Sequence, residues 1–164
     1  MSTQDIYNYI KVNDQMITGG QPTADQLIAA ADEGVVTVIN LATYSPGHSL
    51  EDEAGLVRSL GMTYVHIPVE WGRPEMADFE AFERALAERA APRSPSAPGA
   101  GGKTLIHCAA NFRVTAFYSL YAQKHLGWSE AQADEFRARI WAGSHYPIWE
   151  SFIAEMKAAI AGRR

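Results

Sequence analysis

The spacing of hydrophobic positions alternates along the chain between two periods. Residues 35–42, VVTVINLA, form an apolar, β-branched run bounded by turns, which is the pattern of a buried strand. Residues 62–70, MTYVHIPVE, and 103–107, KTLIH, repeat it, and QMITGG at 15–20 reads as a short strand and a glycine turn. Between these runs the spacing becomes helical. Residues 21–34, QPTADQLIAAADEG, carry a capping-box pair, Thr23 and Gln26, and a stop at Gly34. Residues 50–61 predict a short helix ending at Gly61, and 77–90 predict a helix with Phe79, Phe82 and Leu86 on one face. Three more helices follow: 114–126, 129–141 (opened by the pair Ser129 and Gln132) and 147–161, with Pro147 in its first turn. This order predicts an α/β fold, with a central, mostly parallel sheet of four to five strands flanked by helices.

Such sheets bind ligands beyond the carboxyl ends of their strands. The loops 41–49, 70–77 and 108–113 should gather there. Residues 91–102, APRSPSAPGAGG, are low-complexity and precede a strand, so they read as a flexible surface insert at the opposite end. With 164 residues, positions 1–164 are expected to form a single domain. The net charge of −5, with no basic run, weighs against nucleic acid or a membrane surface as partner. No secretory signal and no apolar run of membrane-spanning length is evident. One cysteine excludes an internal disulfide and a Cys-rich zinc site, and a lone thiol fits a reducing compartment, so a cytoplasmic location is expected. His48 and His66 lack ligand spacing, and GAGGK at 99–103 lacks the context of a nucleotide loop, so neither metal nor cofactor is expected. The sequence is silent on oligomeric state.

The candidate chemistry lies in KTLIHCAANFRVTAF, residues 103–117, where a strand, Cys108, a short loop, Arg113 and a helix follow in turn. The N–H groups of such a loop and of the first helical turn converge on a point and bind an anion there. The same field favours thiolate over thiol in a cysteine beneath it. Arg113 would add a planar fork for two oxygens of a tetrahedral anion, and Cys108 would attack it. The competing reading is a packing cysteine at the end of a core strand. The junction of strand and helix favours the chemical one.

HCAANFRVTAF resembles the signature loop of the cysteine-dependent protein tyrosine and dual-specificity phosphatases. ITGGQPTADQL, VTVINLAT, DEAGLVRSLGMTYVHIPVE and FEAFERAL extend the likeness to a small bacterial dual-specificity-like branch over most of residues 15–127. The resemblance implies the fold read above, Cys108 as nucleophile, Arg113 as anion clamp, and phosphate binding by Ala109, Ala110, Asn111, Phe112 and Arg113. His107 precedes the nucleophile as a supporting residue, and Gln21 reaches the loop. The substrate would be a phosphorylated protein or a small phosphate monoester.

Three departures stand out. Four residues, not five, separate Cys108 from Arg113. The loop has no glycine, so Asn111 is the candidate for a positive φ. Val114 follows Arg113 where the family has a hydroxyl, leaving Thr115 as the nearest substitute. The family's acidic residue for the leaving oxygen would fall on or beside Trp71, so Glu70 and then Asp78 are the candidate proton donors. The short loop also fits a rhodanese-like sulfurtransferase with a persulfide on Cys108. The missing glycine and shifted hydroxyl also fit a module that only binds phosphate. EDE at 51–53 reads as a solvated first turn, and Trp128, Trp141 and Trp149 as core.

Overall fold

The structure, a computed structural model, describes residues 2–90 and 102–162. The 91–102 insert therefore lies outside the described residues except for Gly102. Five strands form one sheet: β1 (Ile10–Asn13), β2 (Met16–Gly19), β3 (Val35–Asn40), β4 (Thr63–His66) and β5 (Lys103–His107). Their order is β1-β2-β5-β3-β4, with β1 antiparallel to β2 and every other pair parallel. Among the described residues, six α-helices flank it: α1 (Ala24–Asp32), α2 (Glu53–Ser59), α3 (Met76–Ala90), α4 (Phe112–His125), α5 (Glu130–Trp141) and α6 (Pro147–Ala161), and a 3-10 turn, Thr3–Asp5, precedes β1.

The side-chain alternation of the strands divides the interior into two layers. Ile17, Val38 and Leu105 face Leu27, Ala30 and Val57 of α1 and α2. Met16, Ile39 and Ile106 face the larger layer, where Phe79, Phe82, Phe117, Trp149 and Phe152 pack from α3, α4 and α6. Helix α4 is buried almost all round, from Arg113 to Leu120, as expected for a helix covered on several faces.

Local chemistry sets the helix ends. Thr23 accepts from the N–H of Gln26 and Gln26 accepts from that of Thr23, and Ser129 and Gln132 make the same reciprocal pair. Pro147 opens α6. Strand β1 is an element the hydrophobic pattern does not mark. It is four residues long, with Ile10 and Val12 toward the core and Lys11 and Asn13 outward. The registers bring strand ends into line, because His107 pairs with Gly19 on one side and Asn40 on the other, and Asn40 pairs with His66. The loops after β2, β3, β4 and β5 therefore leave from one edge.

Candidate active site

Cys108 follows the last residue of β5 and is 1% exposed, with its N–H donating to the Gly19 carbonyl at 3.3 Å. The next four residues turn their carbonyls toward the protein. Ala109 O accepts from Gln21 N–H at 2.9 Å and Ala110 O accepts from Asn8 Nδ2 at 2.9 Å. Asn111 O accepts from the N–H and the hydroxyl of Thr115, and Phe112 O from Trp141 Nε1 at 3.1 Å. Among the described residues the N–H groups of Ala109, Ala110, Phe112 and Arg113 have no backbone acceptor. With the first turn of α4 they form a set of donors that can hold an anion.

Asn111 makes this turn without a glycine. Its φ is +69°, a left-handed conformation that asparagine tolerates better than most residues. Its side chain donates to Asn8 O at 2.8 Å and to Thr18 Oγ1 at 3.1 Å. Asn8, itself at φ +54°, returns its amide to Ala110 O. Two left-handed asparagines about a hundred residues apart thus clamp each other's segments. The glycine pair before Gln21 allows the close approach. A Cβ on Gly20 would stand 2.6 Å from Ala109 O, and one on Gly19 would stand 2.6 Å from the Ile6 side chain.

Arg113 is 7% exposed. Its Nη1 donates to Val69 O at 2.9 Å and its guanidinium carbon lies 5.9 Å from the centre of a Trp71 ring. That ring belongs to an aromatic cluster. Trp71 stacks on Trp141 and meets Tyr146 edge-on at 5.0 Å, and Phe112 meets Trp141 at 4.9 Å. Trp149 donates its ring N–H to Trp71 O at 2.8 Å. Of the three C-terminal tryptophans read as core, Trp149 is fully buried, while Trp128 and Trp141 are half-buried against the core.

Behind Cys108 lies a polar network. His107 is fully buried between two acceptors: Glu53 Oε2, 2.6 Å from Nε2, and Cys108 O, 3.2 Å from Nδ1. The other oxygen of Glu53 accepts from Gln21 Nε2 at 2.8 Å. Glu53 is 6% exposed, which corrects its reading as part of a solvated turn. Burial raises its pKa, but the His107 hydrogen bond and charge and the Gln21 hydrogen bond outweigh this and hold it below the usual range. Local sequence carries one signal for it. Glu53 stands four residues before the fully buried Val57, on the apolar face of α2. Asn8 carries no such signal.

The remaining candidates lie outside the contacts of Cys108. Glu70 is exposed at a turn closed by Arg73 N–H onto Glu70 O. Asp78 is in the first turn of α3, where Oδ2 accepts from Glu75 N–H at 3.1 Å. Burial pushes its carboxyl up, against the effect of that hydrogen bond. No hydrogen bond joins either carboxylate to Arg113 or Cys108 among the described residues. The Thr115 hydroxyl donates to Asn111 O at 2.8 Å and lies 3.1 Å from Trp141 Nε1.

No protein-family profile matches the chain. A Xylella fastidiosa "Beta-lactamase hydrolase-like protein" is 29% identical over 116 residues, 68% of this chain; the chain spans about a quarter of that relative's length, 24%. A Shewanella putrefaciens CN-32 structure, described as that of a candidate phosphatase (DUF442), is 32% identical with a TM-score of 0.80, covering 96% of this chain and 95% of that one. Pseudomonas aeruginosa TpbA in complex with pTyr shares the fold, at 16% identity and a TM-score of 0.67 over 98% of this chain and 93% of that one.

Proposed function

The chain belongs to the cysteine-dependent protein tyrosine and dual-specificity phosphatase superfamily, and on that premise we propose that it hydrolyses phosphate monoesters through a phosphocysteine on Cys108. The thiolate attacks phosphorus and the leaving oxygen departs with a proton. Water then attacks the phosphocysteine and releases phosphate and the thiolate. The N–H groups of residues 109–113 and the Arg113 fork stabilise the charge on the transferring phosphoryl group. The observation that carries this reading is the outward bonding of every carbonyl from Ala109 to Phe112, which leaves the loop's donors for an anion at Cys108.

The proton donor comes from the 70–78 segment. Glu70 ranks first by position along the chain, but Asp78 is better suited chemically. Burial pushes its carboxyl up, so it keeps a proton nearer to neutral pH than an ordinary aspartate. The substrate class is a monoester on a protein side chain or a small molecule.

The test is phosphate release from an aryl phosphate. Cys108→Ser should abolish it, and release that survives in this variant overturns the reading. Glu70→Gln and Asp78→Asn should divide the acid assignment. The true donor's loss flattens the alkaline limb of the pH profile, and an unchanged profile in both removes the segment from the mechanism.

A second reading is favoured by Trp71, which stands where the pattern puts an aspartate and is packed among four aromatic rings. Sulfur transfer through a Cys108 persulfide needs no proton donor there. Thiocyanate formed from thiosulfate and cyanide, without phosphate release, would establish it. Phosphate binding with neither product would leave a recognition module.

A further inference from the structure

We propose that Glu53 is a positioning residue for Cys108, acting through His107: its carboxylate holds the imidazole doubly protonated, with the resulting positive charge directly behind the nucleophile. The inference deepens the proposed function and rests on Cys108 being its reactive group.

The geometry leaves little freedom. Nδ1 of His107 faces the Cys108 carbonyl and Nε2 faces Glu53. A carbonyl oxygen only accepts, so Nδ1 must carry a hydrogen to make its bond. Nε2 faces a carboxylate whose second oxygen is already engaged by the Gln21 amide donor. An ionised Glu53 needs a hydrogen on Nε2 as well, and both conditions together define an imidazolium.

Besides His107, the titratable groups beside Glu53 are Tyr44, Glu51 and Asp52 on the same cavity wall and Tyr64 and His66 of β4, with Arg58 acting on Tyr64. Tyr64 is pushed up to about 12, mainly by burial, and stays neutral. His66 turns its Nε2 to Ala42 O at 2.6 Å. Neither takes the place of Glu53 at the His107 ring. A buried ion pair is weak support for stability, because desolvation offsets the attraction. Here its consequence is the placement of charge. A cation one residue before a cysteine favours thiolate over thiol.

The test uses alkylation of Cys108, the only thiol in the chain, by iodoacetamide as a function of pH. Glu53→Gln keeps the side chain's shape and removes its charge. Its half-alkylation pH should rise by about one unit, and Glu53→Asp should restore part of the shift. A midpoint unchanged from wild type, in Glu53→Gln protein with wild-type circular dichroism, overturns the proposal.

If Glu53→Gln does not fold, nitrogen NMR of the wild-type ring decides, with the His107 signals assigned by their loss in His107→Asn. Two protonated ring nitrogens from pH 5 to 8 support the proposal, and a neutral-ring pattern at pH 7 overturns it. Neither readout uses a substrate. A shifted midpoint without phosphate release would sink the function but leave this inference standing. Phosphate release with an unshifted midpoint would do the reverse.

Discussion

On the side of β2, β5 and α2, the Cys108–Arg113 loop is held by hydrogen bonds among amide and charged groups: Asn8 to Ala110, Gln21 to Ala109 and Glu53 to His107. On the side of the 70–78 segment and helices α5 and α6, the rings of Trp71, Trp141, Tyr146 and Phe112 do most of the holding, with hydrogen bonds from Trp141 Nε1 to Phe112 O and from Arg113 to Val69 O. The two materials do different work. A hydrogen bond is short and directional, so the first side fixes where the carbonyls of Ala109 and Ala110 point. Ring contacts supply buried area more than direction, so the second side packs against the loop. The ring side is also the open one: Trp71 is 36% exposed, whereas Glu53 and His107 are buried.

Substitutions can break this division, and Arg113 is where the two sides meet. Arg113→Lys keeps one charge but loses the fork, and kcat on an aryl phosphate should fall about 10²- to 10³-fold. Steady-state kinetics with a drop under about fivefold would show that the fork is not used. Trp149→Ala removes a fully buried indole from the ring side and should cost about 3–5 kcal/mol in urea unfolding. The same variant should leave the alkylation midpoint of Cys108 where it was. A moved midpoint would mean that the two sides are not separable.

Asn111→Ala puts a side chain with no polar group at φ +69° and deletes two hydrogen bonds, for a loss of about 2 kcal/mol. Asn111→Gly meets the φ requirement but not the bonding one and should lose less. Equal losses in the two variants would assign the whole cost to the bonds.

The smallest effect sharpens the comparison through pH. The folded-state pKa of Glu53 is lowered from an ordinary value of 4.5, so the folded protein binds fewer protons there than the unfolded chain. Its contribution is present above about pH 4.5 and is lost as pH falls through the lower folded value. Thermal melts from pH 6 downward should therefore decline less steeply in Glu53→Gln than in wild type. Parallel declines would show that the pair carries no such linkage.

The fold was legible where a segment carries its own signal. KTLIH is apolar and β-branched, and it forms β5 over the same residues, Lys103–His107. The pairs Thr23 with Gln26 and Ser129 with Gln132 announce helix starts because both partners lie within one turn. Asn111 could be read as the left-handed residue because the loop offers no better one. What stayed hidden depends on partners far along the chain. Glu53 looks solvated among Glu51 and Asp52 until His107, 54 positions away, is brought beside it. Asn8 sits 102 residues from Ala110, and its role exists only after the sheet has formed. Strand β1 escaped because four residues, two of them polar, make too short an alternation to distinguish from a turn.

The bonds from Asn111 to Asn8 O and from Asn8 to Ala110 O have a consequence for the order of events in folding. Contacts this distant in sequence form late, after the chain between them has been gathered in. The loop after Cys108 therefore takes its folded shape only when both ends of that span have docked. In refolding from urea, the recovery of rapid Cys108 alkylation should lag behind the recovery of helical circular dichroism. Coincident traces would mean that the loop takes shape without its N-terminal splint. The rate of Cys108 alkylation then reports the docking of the N-terminal segment, which helix content alone does not.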